Sequence, residues 1–343
     1  MTAWLGRRRP CAAARPRAGW TLLLSLVLGA TGGAAGSAHA ADCKAVPACV
    51  DQLRYGETRA LRELAARKLG ERDDPFALTA LAQALKDDLG EFVRVNAAEA
   101  LGRLGQRKAL EPLSAALTSD PSEIVRAAAA TALGKLGLAE ALAPLTAALA
   151  DDEAHAVRIQ AAMALGRLRA AESAPALSDA AESDPRPEVR VAAARALALL
   201  KGGERHEALI AVLKDDVETP ARVAAARALA AVNGEGVAAA LVAALERDPD
   251  RTVRAAVADT LGKRKEAATV NALVKTLQVD GAIEVRQAAA VALGRIDGPG
   301  ARSALAYFAE HSLFSQIQRT CREVLADMPP LPAAGDKSTA KAG

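Results

Sequence analysis

Aromatic side chains are nearly absent from this 343-residue chain, at 2% of its residues, and no Trp follows Trp20. That scarcity weighs against a surface that holds nucleic-acid bases by stacking, and it leaves the core to Leu, Ala and Val. Histidine is as sparse. Beyond residue 40 only His155, His206 and His311 occur, in different phases of the pattern described below, so no clustered set of metal ligands is legible. A glycine-rich phosphate loop and a nucleophile elbow are also missing. No catalytic, metal or cofactor-binding residue is therefore assigned.

An excess of charge of one sign is missing too, once the chain is divided. The formal net charge is +3, but residues 1–40 carry five Arg and no acid. The remainder holds 39 basic and 41 acidic residues, a balance of −2 that offers no overall attraction to nucleic acid or anionic lipid.

The first forty residues account for the imbalance. Arg7, Arg8, Arg9, Arg15 and Arg17 precede an apolar run, Thr21 to Ala30, and a small-residue stretch follows it. Ala38 and Ala40 fit an A-x-A cleavage site, so residues 1–40 read as an export signal cut after Ala40. The apolar run is short for a bilayer span. The expectation is a periplasmic or secreted mature protein with no stable membrane insertion. Cys43 follows an Asp that does not suit a lipid-attachment box. In an oxidising compartment Cys43 and Cys49 are near enough for a small-loop disulfide. Cys49 also lies 32 residues before Leu81, on the buried phase. Cys321 reads as a buried free thiol.

What the chain has in abundance is repetition. The stretch Asp120 to Gly137, DPSEIVRAAAATALGKLG, recurs every 32 residues. Its Arg falls at Arg94, Arg126, Arg158, Arg190, Arg222, Arg254 and Arg286. Six residues before each stand Asp88, Asp120, Asp152, Asp184, Asp216, Asp248 and Asp280. Each unit carries two helical patterns. The first has Leu at i and i+4, as in Leu81 and Leu85; the second has Ala pairs such as Ala129 and Ala130, followed by Leu. Neither shows the period-2 alternation of a strand. Strict self-similarity at this period means a stacked array. Residues 41–72 read as an N-terminal cap repeat, 73–298 as regular repeats, 299–328 as a C-terminal cap repeat and 329–343 as a disordered tail.

The punctuation agrees with that division. Asp120-Pro121, Asp184-Pro185 and Asp248-Pro249 suit an N-cap followed by Pro at the first helical position. Gly105, Gly137, Asn233 and Asp297 follow the second helix and tolerate a left-handed cap. Gly102, Gly134, Gly166, Gly262 and Gly294 recur inside the second helix, with Ala198 and Ala230 in their place mid-array. That substitution suggests a requirement for smallness where a neighbouring backbone packs closely.

Over residues 47–328 the motif resembles HEAT repeats, and in particular the short bacterial HEAT-like variety named partly from phycobilin lyases. The resemblance implies an all-α, right-handed α-solenoid of about nine two-helix repeats with the 32-residue period. It also implies that the Asp and Arg residues above form a hydrogen-bonded ladder, and that the second helices line the concave face. Gly56, Ser312 and Gln318 interrupt the ladder at the ends. A charge pair repeated once per unit reads as a device that fixes geometry, because a buried Arg requires a partner. HEAT-like deoxyhypusine hydroxylases use several His-Glu pairs for iron; only His206-Glu207 occurs here.

Relative to each Arg, positions −2, +2, +5 and +9 share one helical face. Candidate groove residues on it are Phe92, Asn96, Glu99, Arg103, Lys135, Gln160, Met163, Arg167, Arg195, Arg227, Lys263 and Arg295. Position +9 is basic in five of seven units, and Arg195 and Arg227 add charge at +5 where +9 is apolar. One reading is a groove for an acidic or extended protein partner, in an exported, non-catalytic scaffold. The plain alternative is that Lys and Arg near helix C-termini favour the dipole. A second functional reading is a lyase-like or chaperone-like accessory that holds a substrate protein or pigment. Nothing in the sequence indicates the oligomeric state.

Overall fold

A computed structural model of the protein describes residues 43–201 and 205–330. The leader assigned to residues 1–40 and most of the tail assigned to 329–343 lie outside them. Among the described residues every long element is a helix, and the helices come in nine antiparallel pairs. They are α1 (Val46–Tyr55) with α2 (Arg59–Leu69), α3 (Pro75–Asp87) with α4 (Glu91–Leu104), and α5 (Leu110–Ser119) with α6 (Glu123–Leu136). Then come α7 (Leu142–Asp151) with α8 (His155–Leu168), α9 (Ala174–Ser183) with α10 (Pro187–Leu197), and α11 (His206–Asp215) with α12 (Thr219–Ala228). The last are α13 (Val237–Arg247) with α14 (Arg251–Arg264), α15 (Val270–Val279) with α16 (Ile283–Ile296), and α17 (Pro299–His311) with α18 (Ser315–Asp327). The chain folds as an α-solenoid.

The pairs form because neither helix can bury its stripe alone. Leu113 and Leu117 of α5 and Val125, Ala129, Ala130 and Leu133 of α6 are all at most 1% exposed. The same positions repeat along the chain and join one apolar core from Cys43 to Cys321. The ends of the stack close with polar surface. In α18 only Ile317 and Cys321 are buried, while Gln316, Arg319, Arg322 and Glu323 face solvent.

The turn between paired helices differs from the capping expected of Asp-Pro. Asp120, Asp184 and Asp248 are C-caps of α5, α9 and α13, not N-caps of the helices that follow. Asp120 Oδ1 accepts the Ser122 amide at 2.9 Å, and α6 starts only at Glu123. The carboxylate thus closes an Asx turn, and Pro121 belongs to the turn rather than the helix. After the second helices Gly105 and Gly137 are left-handed, with φ of 65° and 71°, and Asp297 has φ of 51°. Asn233 is not among the positive-φ residues; Arg169 and Lys265 are, at 53° and 55°.

The recurrent glycines show how successive second helices meet. A Cβ on Gly134 would stand 2.7 Å from Ala164 Cβ and 2.8 Å from its Cα. Gly102 faces Ala132, Gly166 faces Ala196 and Gly262 faces Ala292 at comparable distance. The reading of these positions as small for the sake of close packing holds, since the facing Ala lies within 3 Å of where a Cβ would stand and none of these glycines has positive φ. Where Ala198 and Ala230 stand, the second helix is shorter. Helices α10 and α12 have 11 and 10 residues. Helices α4, α6, α8, α14 and α16 have 14. From α4 to α16 the added methyl and the loss of about one helical turn go together; α2, which has 11 residues and Gly70 at this position, is short without the methyl. The second helices form the closely packed layer of the stack, and the first helices are less tightly apposed.

Candidate functional site

The Asp and Arg residues lie at the turns, between the two helix layers. Arg158 donates from Nε to Asp184 Oδ2 at 2.8 Å and from Nη2 to Asp184 Oδ1 at 3.1 Å. Its Nη1 donates to the Asp152 carbonyl at 2.8 Å. Each Arg therefore ties its own turn to that of the next repeat, with the carboxylate 26 residues ahead. The pairs are Arg62–Asp88, Arg94–Asp120, Arg126–Asp152, Arg158–Asp184, Arg190–Asp216, Arg222–Asp248 and Arg254–Asp280, with Nε–Oδ2 distances of 2.6–2.8 Å. Arg126, Arg158, Arg190 and Arg222 are buried.

Electrostatics follows from that geometry. The hydrogen bonds that Arg158 donates to Asp184 raise the guanidinium above its ordinary value, against the opposing effect of burial. Burial pushes the Asp216 carboxyl up, but bonds from Arg190 and the Glu218 amide, with the charges of Arg190 and Arg222, outweigh it and hold the group below its ordinary value. Asp280 is lowered in the same way: burial opposes, and Arg254, the Ala282 amide and Arg286 prevail. The bidentate carboxylate and the carbonyl occupy the guanidinium fork, so the ladder offers no open anion site.

The ends of the ladder depart from the sequence assignment. Arg62 is its first member and answers Asp88; its Nη1 donates to the Gly56 carbonyl at 2.9 Å. Arg286 has no carboxylate ahead of it, because Ser312 stands there. Its Nε donates to the Asp280 carbonyl, and its guanidinium lies 4.7 Å from the Phe314 ring centroid. Gln318 keeps only the backbone half of the motif, donating to the Ser312 carbonyl at 3.0 Å.

On the second-helix face the candidate groove residues separate into three groups. At the N-terminal end Phe92 lies under the Arg59 guanidinium, 5.3 Å from its centroid, and Asn96 donates to the Phe92 carbonyl at 2.6 Å. Arg103 pairs with Glu99 at 3.7 Å. At the C-terminal end Asp259 neutralises both Lys263, at 2.8 Å, and Arg295. The nearly continuous basic stripe read from the sequence is therefore interrupted at both ends. In the centre Lys135, Arg167, Arg195 and Arg227 are exposed and make no ion pair among the described residues. Gln160 accepts from Thr131 at 2.9 Å, bridging α6 and α8.

An apolar slot accompanies two of those cations, Arg167 and Arg195, which line it. Its volume is ≈ 660 Å³, and its lining includes Ile159, Met163, Pro187, Val191, Leu199 and Pro220. Met163 and Leu199 are 39% and 46% exposed. The floor beneath is shallow in side chain, since Ala192 and Ala196 occupy it and are buried. Ile159 and Val191 were not among the groove candidates. They follow each Arg by one residue and stack at i, i+4 on Met163 and Arg195, the signal that would have found them. Arg264 was also missed. Its Nη1 donates to the carbonyls of Leu229 and Val232 at 2.6 and 2.7 Å, closing the early end of α12. Thr260 Oγ1 donates to the Ala226 carbonyl at 3.0 Å, so polar contacts replace the Gly–Ala approach there.

The remaining chemistry is dispersed. Cys43 and Cys49 are bonded as a disulfide with Cα atoms 4.8 Å apart, and Cys49 is also fully buried. Arg72 Nη2 donates to the Cys43 carbonyl at 2.9 Å. Cys321 is a buried free thiol whose pKa burial pushes up to about 11. His155 and His206 open α8 and α11, and His311 stacks on Tyr307. Among the described residues no three His, Cys, Asp or Glu side chains gather as a metal site, and no helix is long and apolar enough to cross a membrane.

With this geometry in hand, comparison with known proteins finds one family. The profile described as HEAT repeats matches residues 46–134, 91–166, 111–198, 142–230, 206–294 and 238–326. Among solved structures, Kap121p bound to Pho4p is similar with a TM-score of 0.57 at 14% identity, over 81% of this chain and 36% of that one. YibA of E. coli gives 0.50 at 20% identity, over 76% and 95% of the two chains. The CpcE–CpcF complex of phycocyanin lyase from Nostoc sp. PCC7120 gives 0.35 at 23% identity, over 83% and 95%. No curated protein matches the sequence. Likeness at these identities speaks to fold alone.

Proposed function

The chain belongs to the HEAT-repeat family, and from that premise we propose that it is an exported, non-catalytic scaffold that binds a protein partner along the face of its second helices. The observation that carries this reading is the run of Lys135, Arg167, Arg195 and Arg227. These cations project from four consecutive repeats on the face that exposes Met163 and Leu199, and none of them is in an ion pair among the described residues. A helix dipole accounts for one cation near one C-terminus. It does not account for the apolar slot between them. Close Gly–Ala packing of the second helices makes theirs the shorter layer, which favours a concave face where a partner contacts several repeats at once. The leader of residues 1–40 and the Cys43–Cys49 disulfide both support an oxidising compartment. Among the structural neighbours, Kap121p is itself seen bound to a protein, Pho4p.

Affinity capture from an envelope extract tests the reading. The bait is Ala41–Gly343, compared with a variant carrying Lys135, Arg167, Arg195 and Arg227 changed to Glu. Arg103 is left unchanged because Glu99 already occupies it. The expected result is a partner retained by the first bait and lost by the second, with matching circular dichroism. Equal capture by both baits overturns the assignment of this face.

A further inference from the structure

The slot and two of the cations, Arg195 and Arg227, coincide with the shortened second helices α10 and α12, and that coincidence specifies more than a groove. Resting on the protein-binding reading above, we propose that recognition is confined to α8, α10 and α12. The ligand is an extended acidic segment carrying one bulky apolar side chain. That side chain enters the slot between Met163 and Leu199, and carboxylates of the same segment meet Arg195, which lines the slot, and Arg227 in the next repeat.

Three observations fix this choice. The first is charge. The ends of the face are self-neutralised, by Glu99 on Arg103 and by Asp259 on Lys263 and Arg295. Only the centre presents cations with unmet demand, so an acidic ligand gains there and gains little elsewhere. The second is depth. Helices α10 and α12 stop about one turn early, and the +2 positions are Ala192 and Ala224, both buried. Apolar surface on Met163 and Leu199 therefore stands beside a recess rather than beside another side chain. A volume of ≈ 660 Å³ falls within the roughly 300–1,000 Å³ typical of pockets that take a small ligand or anchoring group. The third is orientation. Glu188 and Glu218 line the opposite rim, at the N-terminal ends of their helices. A ligand carboxylate is repelled from that rim and drawn to the Arg rim, which sets which way the segment faces.

Spacing then selects extended backbone. Packed helices lie about 8–10 Å apart, and an extended chain advances about 3.3 Å per residue. An acidic residue beside the anchor therefore meets Arg195, and one about three positions further along reaches Arg227 in the neighbouring repeat. Proline at the intervening positions is compatible with this backbone and excludes a helix.

The test uses a fluorescein-labelled synthetic peptide with a Leu, a Glu beside it, a second Glu about three residues further along, and Pro and Ser between the two Glu. Fluorescence anisotropy against Ala41–Gly343 reads its affinity. Binding is expected for this peptide, with a loss of about tenfold or more when both Glu become Lys or Leu becomes Ser. Arg195→Ala with Arg227→Ala should weaken binding by about tenfold, and Arg103→Ala with Arg295→Ala by less than about twofold. Met163→Ser should weaken it while leaving the melting temperature in place. If the end pair weakens binding as much as the central pair, the face binds peptide but the confinement to α8–α12 is overturned. If neither pair affects the peptide, or if no binding occurs, the inference fails. The capture experiment above then decides separately whether the face binds a folded partner.

Discussion

The second helices of the flanking repeats and those of the central two differ at one recurrent position, Gly in the first and Ala in the second, and in length. Flanking helices carry Gly102, Gly134, Gly166, Gly262 or Gly294 and run to 14 residues; the first four of these glycines touch the Cα and Cβ of an Ala in the next repeat, and Gly294 meets Val324. Central helices carry Ala198 and Ala230, end early and leave apolar side chains beside a recess. The Asp–Arg ladder passes through both regions unchanged. The comparison teaches that two separate devices build this array. One fixes repeat-to-repeat geometry at the turns; the other tunes how close the second helices come, and it has been relaxed where the proposed site lies.

The largest expected effect tests whether the ladder is truly common to both regions. Arg126→Ala removes a flanking rung and Arg190→Ala a central one. Each leaves a buried carboxylate without its partner, and each should cost about 3–5 kcal/mol in urea unfolding followed by circular dichroism. Arg286→Ala should cost far less, since Arg286 is paired with no carboxylate and rests on Phe314. A central rung that costs much less than a flanking one would show that the relaxed helices have also loosened the ladder.

Acid probes the same rungs without mutation. Asp216 in the central region and Asp280 in the flank are both held below their ordinary value in the folded protein. A carboxylate with depressed folded pKa contributes stability that is fully present above the unfolded value, about 3.9, and is lost as pH falls through the folded value. The melting temperature should therefore change little through these groups between about pH 7 and pH 5, and fall below about pH 4. Hydrogen exchange should show both regions weakening together. Stability lost near pH 6 would assign the transition to other groups.

The fold was legible in the sequence because a repeat restates each contact many times. Leu81 and its equivalents, the Ala pairs and the Asp–Arg spacing each report the same packing, and a single error does not disturb the reading. The partner register of the ladder was less legible: spacing within one repeat places Asp88 near Arg94, whereas the carboxylate Arg94 uses is Asp120, in the next repeat. The proposed site was least legible, because it lies in departures from the pattern. Arg264 announces itself by occupying the position of Leu104, Leu136, Leu168, Leu200, Val232 and Ile296. The pairing of Arg103 with Glu99 is an i, i+4 contact readable from the sequence, whereas the neutralisation of Arg295 is invisible without coordinates, since Asp259 reaches it across a repeat boundary.

The smallest effects separate the two regions most cleanly. Gly134→Ala places a Cβ within 3 Å of Ala164, whose backbone has no freedom to withdraw, and should cost about 1–3 kcal/mol by overpacking. The reverse exchange in the centre, Ala230→Gly, removes a methyl just past α12 and should cost no more than about 0.5–1 kcal/mol. It should also fail to lengthen that helix. The carbonyls of Leu229 and Val232 are already held by Arg264, and Thr260 holds that of Ala226, so deleting the methyl leaves the polar closure of α12 in place. Hydrogen exchange at residues 229–232 reads this directly. Unchanged protection in Ala230→Gly would place the cause of the early end in Arg264 and Thr260. Protection that spreads by a turn would make the methyl alone the cause.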